Sequence, residues 1–122
     1  MLLCFAVDQC AVSPTGDRLY ISSPIQNKLL TLARDGTLLA TYTDPALVRP
    51  CGLHVTPAGQ VLVCGYYPGT VLQVGWEGQS KLATLATQED GVWSPWSVCF
   101  SSTTSSIIVG QEDDTILVFR VE

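Results

Sequence analysis

One strand-like pattern occurs three times along this chain, at intervals of 42 to 45 residues. The pattern is VSPTGDRLYIS from Val12, and it returns as VTPAGQVLVCG from Val55 and as FSSTTSSIIVG from Phe100. Further along each unit, Gly36 corresponds to Gly78. A repeat of this length is typical of proteins in which one supersecondary unit stacks on copies of itself. The repeat therefore limits the fold to architectures such as propellers, solenoids or arrays.

Each unit divides into short runs of β-branched, aromatic and other apolar residues, separated by turns that contain glycine, proline or serine. No segment shows a helical apolar period sustained over about ten residues. The strands that open the three units are predicted at Cys10–Ser13, Gly52–Val55 and Ser97–Phe100. Four antiparallel strands at this repeat length are typical of a propeller blade. We therefore predict an all-β fold, a partial β-propeller of about two and two-thirds four-stranded antiparallel blades.

The predicted blades form a single partial propeller over residues 1–122, with units at about 9–46, 50–90 and 95–122. Closed propellers typically contain about four to eight blades. A partial ring would leave strand edges and apolar blade faces in water. We therefore expect either a homodimer that closes a six-bladed ring or a ring completed by the remainder of a longer chain.

The composition limits the partners and the compartment. Six basic residues against eleven acidic ones give a net charge of −5, which argues against nucleic acid as a partner. The opening segment MLLCFAVDQC contains no basic residue, and Asp8 interrupts its apolar run, so it does not match a signal peptide. No apolar run reaches transmembrane length. We expect a cytoplasmic protein that does not bind membranes.

The sequence contains no pattern typical of a catalytic or metal site. It contains one histidine and five cysteines, an odd count without a CxxC pair, so the usual zinc spacing is absent. The acidic run Glu112–Asp114 lacks the later bidentate glutamate of a calcium loop. We predict no catalytic residues, no metal and no cofactor, and we interpret the cysteines as reduced core residues: Cys4, Cys10, Cys51, Cys64 and Cys99.

The units resemble NHL-type propeller blades. The second unit carries the pattern at Pro50, Gly52, Leu53, Gly59, Val61–Val63, Val71, Leu72, Val74 and Gly78. The closing IIVGQEDDTILVFRVE resembles the last blade of invertebrate tripartite-motif proteins, whose propeller ends the chain. In that family the ubiquitin-ligase activity resides in zinc modules, and this sequence contains none of their residues. The resemblance therefore implies a non-catalytic module for protein interaction or substrate recognition.

Two other interpretations stay open. Propeller hydrolases and lyases of the lactonase type resemble this fold and hold a metal at the central channel. This chain, with one histidine and Asn27 as its one asparagine, could supply part of such a site. The stretch LYISSPIQNKLLTLARDG is similar to a YWTD-type blade of extracellular receptors. The absence of an N-glycosylation sequon weighs against a receptor fragment.

A partner-binding face can be placed from the order of the strands. In an antiparallel meander the turns alternate between the two ends of the sheet, so the turns between second and third strands share an end with the crossovers between blades. That end collects six acidic and two basic residues, a net charge of −4, together with residue types common in interface hot spots. The candidate partner is a neutral or basic protein segment, and whether the two tryptophans pack between blades stays open. The candidate residues are Arg49, Tyr66, Tyr67, Trp93, Trp96, Asp113 and Asp114.

Overall fold

The computed structural model describes residues 9–121, which form β-strands and one single-turn 3₁₀ helix at Gln88–Asp90. Predictions about the opening segment and Cys4 lie outside these residues. Within the described range no helix is long and apolar enough to span a membrane. The strands are β1 (Gln9–Val12), β2 (Arg18–Ser23), β3 (Lys28–Ala33), β4 (Leu38–Tyr42), β5 (Val48–Val55), β6 (Val61–Tyr67), β7 (Thr70–Val74), β8 (Lys81–Ala86), β9 (Pro95–Ser101), β10 (Ser106–Gln111) and β11 (Ile116–Arg120).

The strands form three antiparallel sheets, each in chain order. Strands β1 to β4 make the first sheet, β5 to β8 the second, and β9 to β11 the third, which has three strands. We call these sheets blades 1, 2 and 3. Val12 pairs with Leu19 in blade 1, and its repeat equivalent Val55 pairs with Val61 in blade 2. The predicted all-β fold, with two four-stranded blades and part of a third, is confirmed.

The middle blade is buried on both of its faces. Successive residues of a strand point to opposite faces, so β6 directs Val61 and Val63 to one side, and Leu62 and Cys64 to the other. We call the side of blades 2 and 3 that faces the preceding blade the front face, and the other side the back face. In blade 1 the back face is the side that faces blade 2, and the front face is the opposite side. Because both faces of blade 2 are covered, β6 is continuously apolar instead of alternating with polar residues.

Two apolar clusters join the three blades. In the first cluster, Tyr20 and Leu29 from the back face of blade 1 pack on the front face of blade 2. In the second, the back face of blade 2 packs on Val98, Ile107 and Val109 from the front face of blade 3. Each interface therefore places a back face on the front face of the next blade, and burial of apolar surface stabilises both contacts.

Hydrogen bonds between neighbouring blades fix the position of one blade on the next. The Tyr20 hydroxyl donates to the carbonyl oxygen of Trp76 at 2.7 Å, and the Leu53 N–H donates to Gln9 Oε1 at 2.8 Å. The Cys51 thiol donates to the carbonyl oxygen of Pro95 at 2.9 Å. These bonds are directional, so they define the register between blades that apolar contact alone leaves loose.

Asp44 organises the crossover from blade 1 to blade 2. Its carboxylate accepts the Ala46 N–H and the Tyr42 hydroxyl, each at 2.8 Å, and lies 3.8 Å from the Lys81 ammonium. The Ala46 N–H, followed by the Tyr42 hydroxyl and the Lys81 charge, holds the Asp44 pKa below its usual value. Burial, together with the bond to Asp44, raises the pKa of Tyr42 to about 12.

Two sequence-based predictions need correction. Strand β5 begins at Val48 and β9 at Pro95, earlier than the predicted starts at Gly52 and Ser97. Both strands lie at an edge of their sheet, and an edge strand tolerates proline because one side of it needs no ladder partner.

The prediction that the cysteines are core residues is right for one pair and wrong for another. Cys51 and Cys64 are buried and face each other across β5 and β6, whereas Cys10 and Cys99 are exposed. The exposed pair lies on the outer faces of the end blades, the front face of blade 1 and the back face of blade 3. A sequence pattern that marks a strand does not tell which of its faces has a neighbour.

Replacement of Gly78 by alanine is expected to destabilise the chain more than replacement of Gly36, its repeat equivalent. Both glycines have a left-handed φ, at 75° and 93°, so alanine costs about 1–2 kcal/mol of strain at either position. A methyl group at Gly78 would also collide with the Thr31 side chain of blade 1, whereas one at Gly36 meets nothing. We expect a further loss of about 1–3 kcal/mol for Gly78→Ala from overpacking. Urea denaturation measures both, and equal losses would contradict the close approach of the blades.

Replacement of Asp44 by asparagine is expected to destabilise the fold at pH 7 by about 1–2 kcal/mol, because hydrogen bonds to a charged acceptor are stronger than neutral ones. The Asp44 pKa is lowered in the fold, so its stabilisation is present above the ordinary value of 3.8. That stabilisation is lost as the pH falls through the folded pKa. Urea midpoints of the wild type and the variant should therefore converge in acid. Asp114→Asn, at an exposed carboxylate, is the control, and a constant difference across pH would refute the assignment.

Candidate partner-binding face

One end of the three blades carries the crossovers and the turns between second and third strands. The β2–β3, β6–β7 and β10–β11 turns lie at this end, as do the β4–β5 and β8–β9 crossovers. We call it the loop face, and we call the opposite end, with the β1–β2 and β3–β4 turns, the turn end. All the candidate residues of the sequence analysis lie on or next to elements that end at the loop face.

Tyr66 lies at the centre of a cluster built from two blades. The Arg49 guanidinium lies 4.6 Å from the centroid of the Tyr66 ring, a cation–π contact. Tyr67 and Trp96 approach the same ring edge-on, with centroids at 4.8 and 5.9 Å. The Tyr66 hydroxyl donates a hydrogen bond to the Glu112 carboxylate. We call these five residues the aromatic cluster.

Trp93 and Asp113 extend this surface beside the aromatic cluster. The Trp93 N–H donates to Gln111 Oε1 at 2.7 Å, and the Glu112 N–H donates to the carbonyl oxygen of Ser94 at 3.1 Å. Trp93, Ser94, Glu112 and Asp113 line a shallow cleft of about 200 Å³. Glu112 thus belongs to both features, so the cluster and the cleft form one continuous surface.

The Asp113 carboxylate of the β10–β11 turn is held in the charged form. Asp113 accepts hydrogen bonds from the side chain and the N–H of Thr115, and these bonds lower its pKa. Asp114 follows in the same turn, is exposed, and donates its N–H to the carbonyl oxygen of Gln111 at 3.2 Å. The loop face therefore carries negative charge next to exposed aromatic rings.

The two tryptophans are largely exposed: Trp96 of blade 3 touches the Tyr66 ring of blade 2 edge-on, but neither tryptophan is buried between the blades. Trp93 is 59% exposed and Trp96 is 50% exposed, and Tyr67 is exposed to a similar degree. Scattered apolar side chains are ordinary on a protein surface, whereas grouped ones mark interaction sites. The structure thus answers the question that the sequence left open, and it brings Arg49, Tyr66, Tyr67 and Trp96 into contact.

Left-handed backbone conformations of residues other than glycine concentrate at the loop face. Among the described residues, four of the five such positions lie there, and the fifth is Ser105 at the turn end. This conformation is strained for most side chains, and strained residues cluster at functional sites in proteins. The four at the loop face are Asn27 (56°), Arg49 (51°), Ser94 (45°) and Asp114 (69°).

Three residues that shape this surface were missed by the sequence analysis. Asn27 Oδ1 accepts the Arg49 N–H at 2.8 Å, and Ser94 and Gln111 hold the backbone beside Trp93. The motif Ser94–Pro95 repeats Arg49–Pro50, a signal that could have identified Ser94 as the equivalent of Arg49. Nothing in the sequence pairs Asn27 with Arg49, because they lie 22 residues apart on neighbouring blades.

A larger cleft lies at the turn end, between blades 2 and 3. It measures about 500 Å³, and Thr56, Gln60, Leu62, Phe100 and Val121 are among the residues that line it. Its lining contains no charged, histidine or cysteine side chain. The arrangement can hold an apolar group, and the hydroxyls in its lining, from Thr56, Ser102 and Ser105, have no charged, histidine or cysteine side chain in that lining to activate them.

The described residues contain no group of three or more histidine, cysteine, aspartate or glutamate side chains that could hold a metal ion. His54 lies on β5, where burial lowers its pKa. Asn27, the other residue from which a propeller metal site could be drawn, binds the Arg49 backbone.

Similar proteins of known structure were found, and they share the fold across nearly all of this chain. Hydrazine synthase from Kuenenia stuttgartiensis has a TM-score of 0.76 and 19% identity, covering 92% of this chain and 32% of its own. Virginiamycin B lyase from Staphylococcus aureus has a TM-score of 0.68 and 11% identity, covering 95% and 41%. No protein-family model and no curated protein matches the sequence.

Both similar proteins are β-propeller-type structures, so this chain has a β-propeller-type fold. It spans less than half of each of them. At these identities the likeness shows the fold and carries no activity over to this chain. The NHL and tripartite-motif resemblance stays a prediction.

Replacement of Glu112 by glutamine is expected to lower the Tyr66 pKa toward the ordinary value of 10.0. The hydrogen bond to the Glu112 carboxylate is the main reason that the Tyr66 pKa is raised, because a negative acceptor favours the neutral phenol. An absorbance titration of the phenolate measures the change. In a Tyr66→Phe background the Glu112→Gln substitution should leave the titration unaltered. An unchanged titration in the wild-type background would mean that the two side chains do not meet in solution.

Proposed function

We propose that this chain is a non-catalytic protein-interaction module that binds a neutral or basic protein segment on its loop face. One observation carries this proposal, the convergence of exposed aromatic residues from blades 2 and 3 on Tyr66, beside the carboxylates of the β10–β11 turn. Aromatic and arginine side chains dominate binding energy at protein interfaces. The loop face therefore combines anchoring groups with a charge that selects the partner.

The cluster is pre-organised to bind. Tyr66 contacts Arg49, Tyr67 and Trp96 and donates its hydroxyl to Glu112, so its ring is held in place before any partner arrives. Rings that are already ordered lose little conformational entropy on binding. The exposed faces of Trp93 and Trp96 offer apolar area, and the neighbouring carboxylates attract a basic segment and raise its association rate.

The loop face fits this role better than the larger cleft at the turn end. That cleft has turn residues such as Pro57, Ala58 and Ser102 in its lining, and it lacks charged side chains. It could hold an apolar group but would not distinguish basic from acidic partners.

We further propose that the module is part of an NHL-like propeller of the tripartite-motif type. Any ubiquitin-ligase activity would then reside in zinc modules outside these residues. We also propose that the protein is located in the cytoplasm.

The proposal is tested first with an array of synthetic peptides of one length whose net charge runs from acidic to basic. The chain should bind neutral and basic peptides that carry an apolar residue and should not bind acidic ones. Trp96→Ala should weaken binding of the best peptide by about thirtyfold or more, because truncation of a hot-spot residue costs about 2 kcal/mol or more. Trp76, 52% exposed at the turn end, provides the matched control, and Trp76→Ala should leave the affinity unchanged. Equal losses in both variants, or tighter binding of acidic peptides, would rule out the loop face as the site.

The charge of the loop face is tested by association kinetics with the same peptide. The double variant Asp113→Asn/Asp114→Asn removes two charges and keeps a residue that suits the turn, because asparagine tolerates the left-handed region and retains an acceptor oxygen. Its association rate should fall several-fold and depend less on salt. The variant Asp17→Asn/Asp35→Asn removes two turn-end charges and should match the wild type. If both double variants slow association equally, net charge and not the loop face attracts the peptide.

A further inference from the structure

Two blade faces have no neighbouring blade among the described residues, the front face of blade 1 and the back face of blade 3. On blade 1, Cys10, Val12 and Leu38 are exposed on this face, while Leu30 and Leu32 are already buried. On blade 3, a row of apolar side chains crosses the outer face of the sheet and is largely exposed. This row contains Cys99, Ile108, Ile116 and Val118. Exposed apolar surface of this kind, on paired strands, marks an interaction site.

The register of the strands shows which surface each free face would fit. The cross-strand pair Val55–Val61 of blade 2 is equivalent to the pair Phe100–Ile107 of blade 3. Leu62 directly follows Val61, and Ile108 directly follows Ile107. Leu62, on the back face of blade 2, is therefore the repeat equivalent of Ile108. Leu62 is buried against blade 3, whereas Ile108 faces away from it. Blade 3 therefore presents the type of surface that blades 1 and 2 each bury under the next blade.

The front face of blade 1, which is exposed at Cys10, Val12 and Leu38 but buried at Leu30 and Leu32, is of the opposite type. Cys10 pairs with Ile21 in the way that Leu53 pairs with Val63 on the front face of blade 2. Leu53 and Val63 are buried against blade 1. One end of the chain thus offers a back face and the other a front face, the two surfaces that pack together at both internal interfaces.

We propose that a second copy of this chain covers both free faces, with the back face of blade 3 in each copy packed on the front face of blade 1 in the other. Two copies related by a twofold axis along the ring axis would repeat the internal interface twice and close a ring of six blades, within the range of about four to eight seen in propellers. The loop faces of both copies would then lie on the same side of the ring. This inference rests on blade packing and does not depend on the proposed function.

The two exposed cysteines report on this contact. Cys99 pairs with Ile108 as Ala11 pairs with Tyr20, so it is the repeat equivalent of Ala11. Ala11 packs into the cluster that contains Leu53, and Leu53 is the equivalent of Cys10. Ring closure therefore brings Cys99 of one copy and Cys10 of the other into one apolar cluster, where both thiols are shielded from water.

The 122-residue chain, with Cys4→Ser to remove the thiol outside the described residues, is tested by light scattering during size-exclusion chromatography. The expected mass is twice 13.1 kDa. Alkylation with iodoacetamide, read by mass spectrometry, should be at least tenfold slower at Cys10 and Cys99 in the dimer than in chain diluted below its dissociation constant. A 13.1 kDa monomer at all concentrations, or open-ended oligomers, would overturn the proposal. So would a dimer in which Cys10 and Cys99 react as fast as in the diluted chain.

A matched pair of variants assigns the interface. Ile116 is 70% exposed on the back face of blade 3, and Ile25 is 77% exposed in the β2–β3 turn of the loop face. Ile116→Asp should yield a monomer and restore alkylation of both cysteines, whereas Ile25→Asp should remain dimeric. Val118→Asp on the same face is the second variant if Ile116→Asp changes the circular dichroism spectrum. A dimer that survives both blade 3 substitutions would overturn the assigned contact.

Discussion

The packing of a back face on a front face is the interaction on which the rest of this structure depends. Blade 2 buries Val61, Val63 and Leu72 under blade 1 and buries Leu62 and Cys64 under blade 3. A four-stranded sheet alone buries little apolar surface, so each blade is stable only in contact with its neighbours. Because the same two surfaces meet at both interfaces, one local sequence pattern can build the whole stack.

The polar features of the molecule follow from this packing. Blades that stack closely bring their loops together at one end, and there β5, β6, β9 and the β10–β11 turn supply Arg49, Tyr66, Trp96 and Glu112 to a single cluster. The edge position of β5 and β9 admits proline, and the residue before each proline is left-handed. The position of the candidate face is therefore a consequence of where the blades end. The loop sequences determine its charge and its aromatic content.

A large part of the fold could be predicted, and the reasons are physical. Alternation of apolar residues and the turn signals define strands locally, so the number and order of strands were correct. The starts of β5 and β9 were not, because a proline near a strand resembles a strand end when the strand's edge position is unknown. The exposure of Cys10 and Cys99 was also mispredicted, since burial depends on a neighbouring blade and not on the strand that carries the residue.

The sequence by itself determined the repeat, the antiparallel order of the strands and the residue types that gather at the loop face. These are consequences of local periodicity and of the alternation of turns in a meander. Only the tertiary structure decided that Trp93 and Trp96 are exposed, that Asn27 holds Arg49 from the neighbouring blade, and that one face at each end of the stack has no described neighbour. Such facts depend on contacts between segments far apart in the chain, and a single sequence does not encode them in any local pattern.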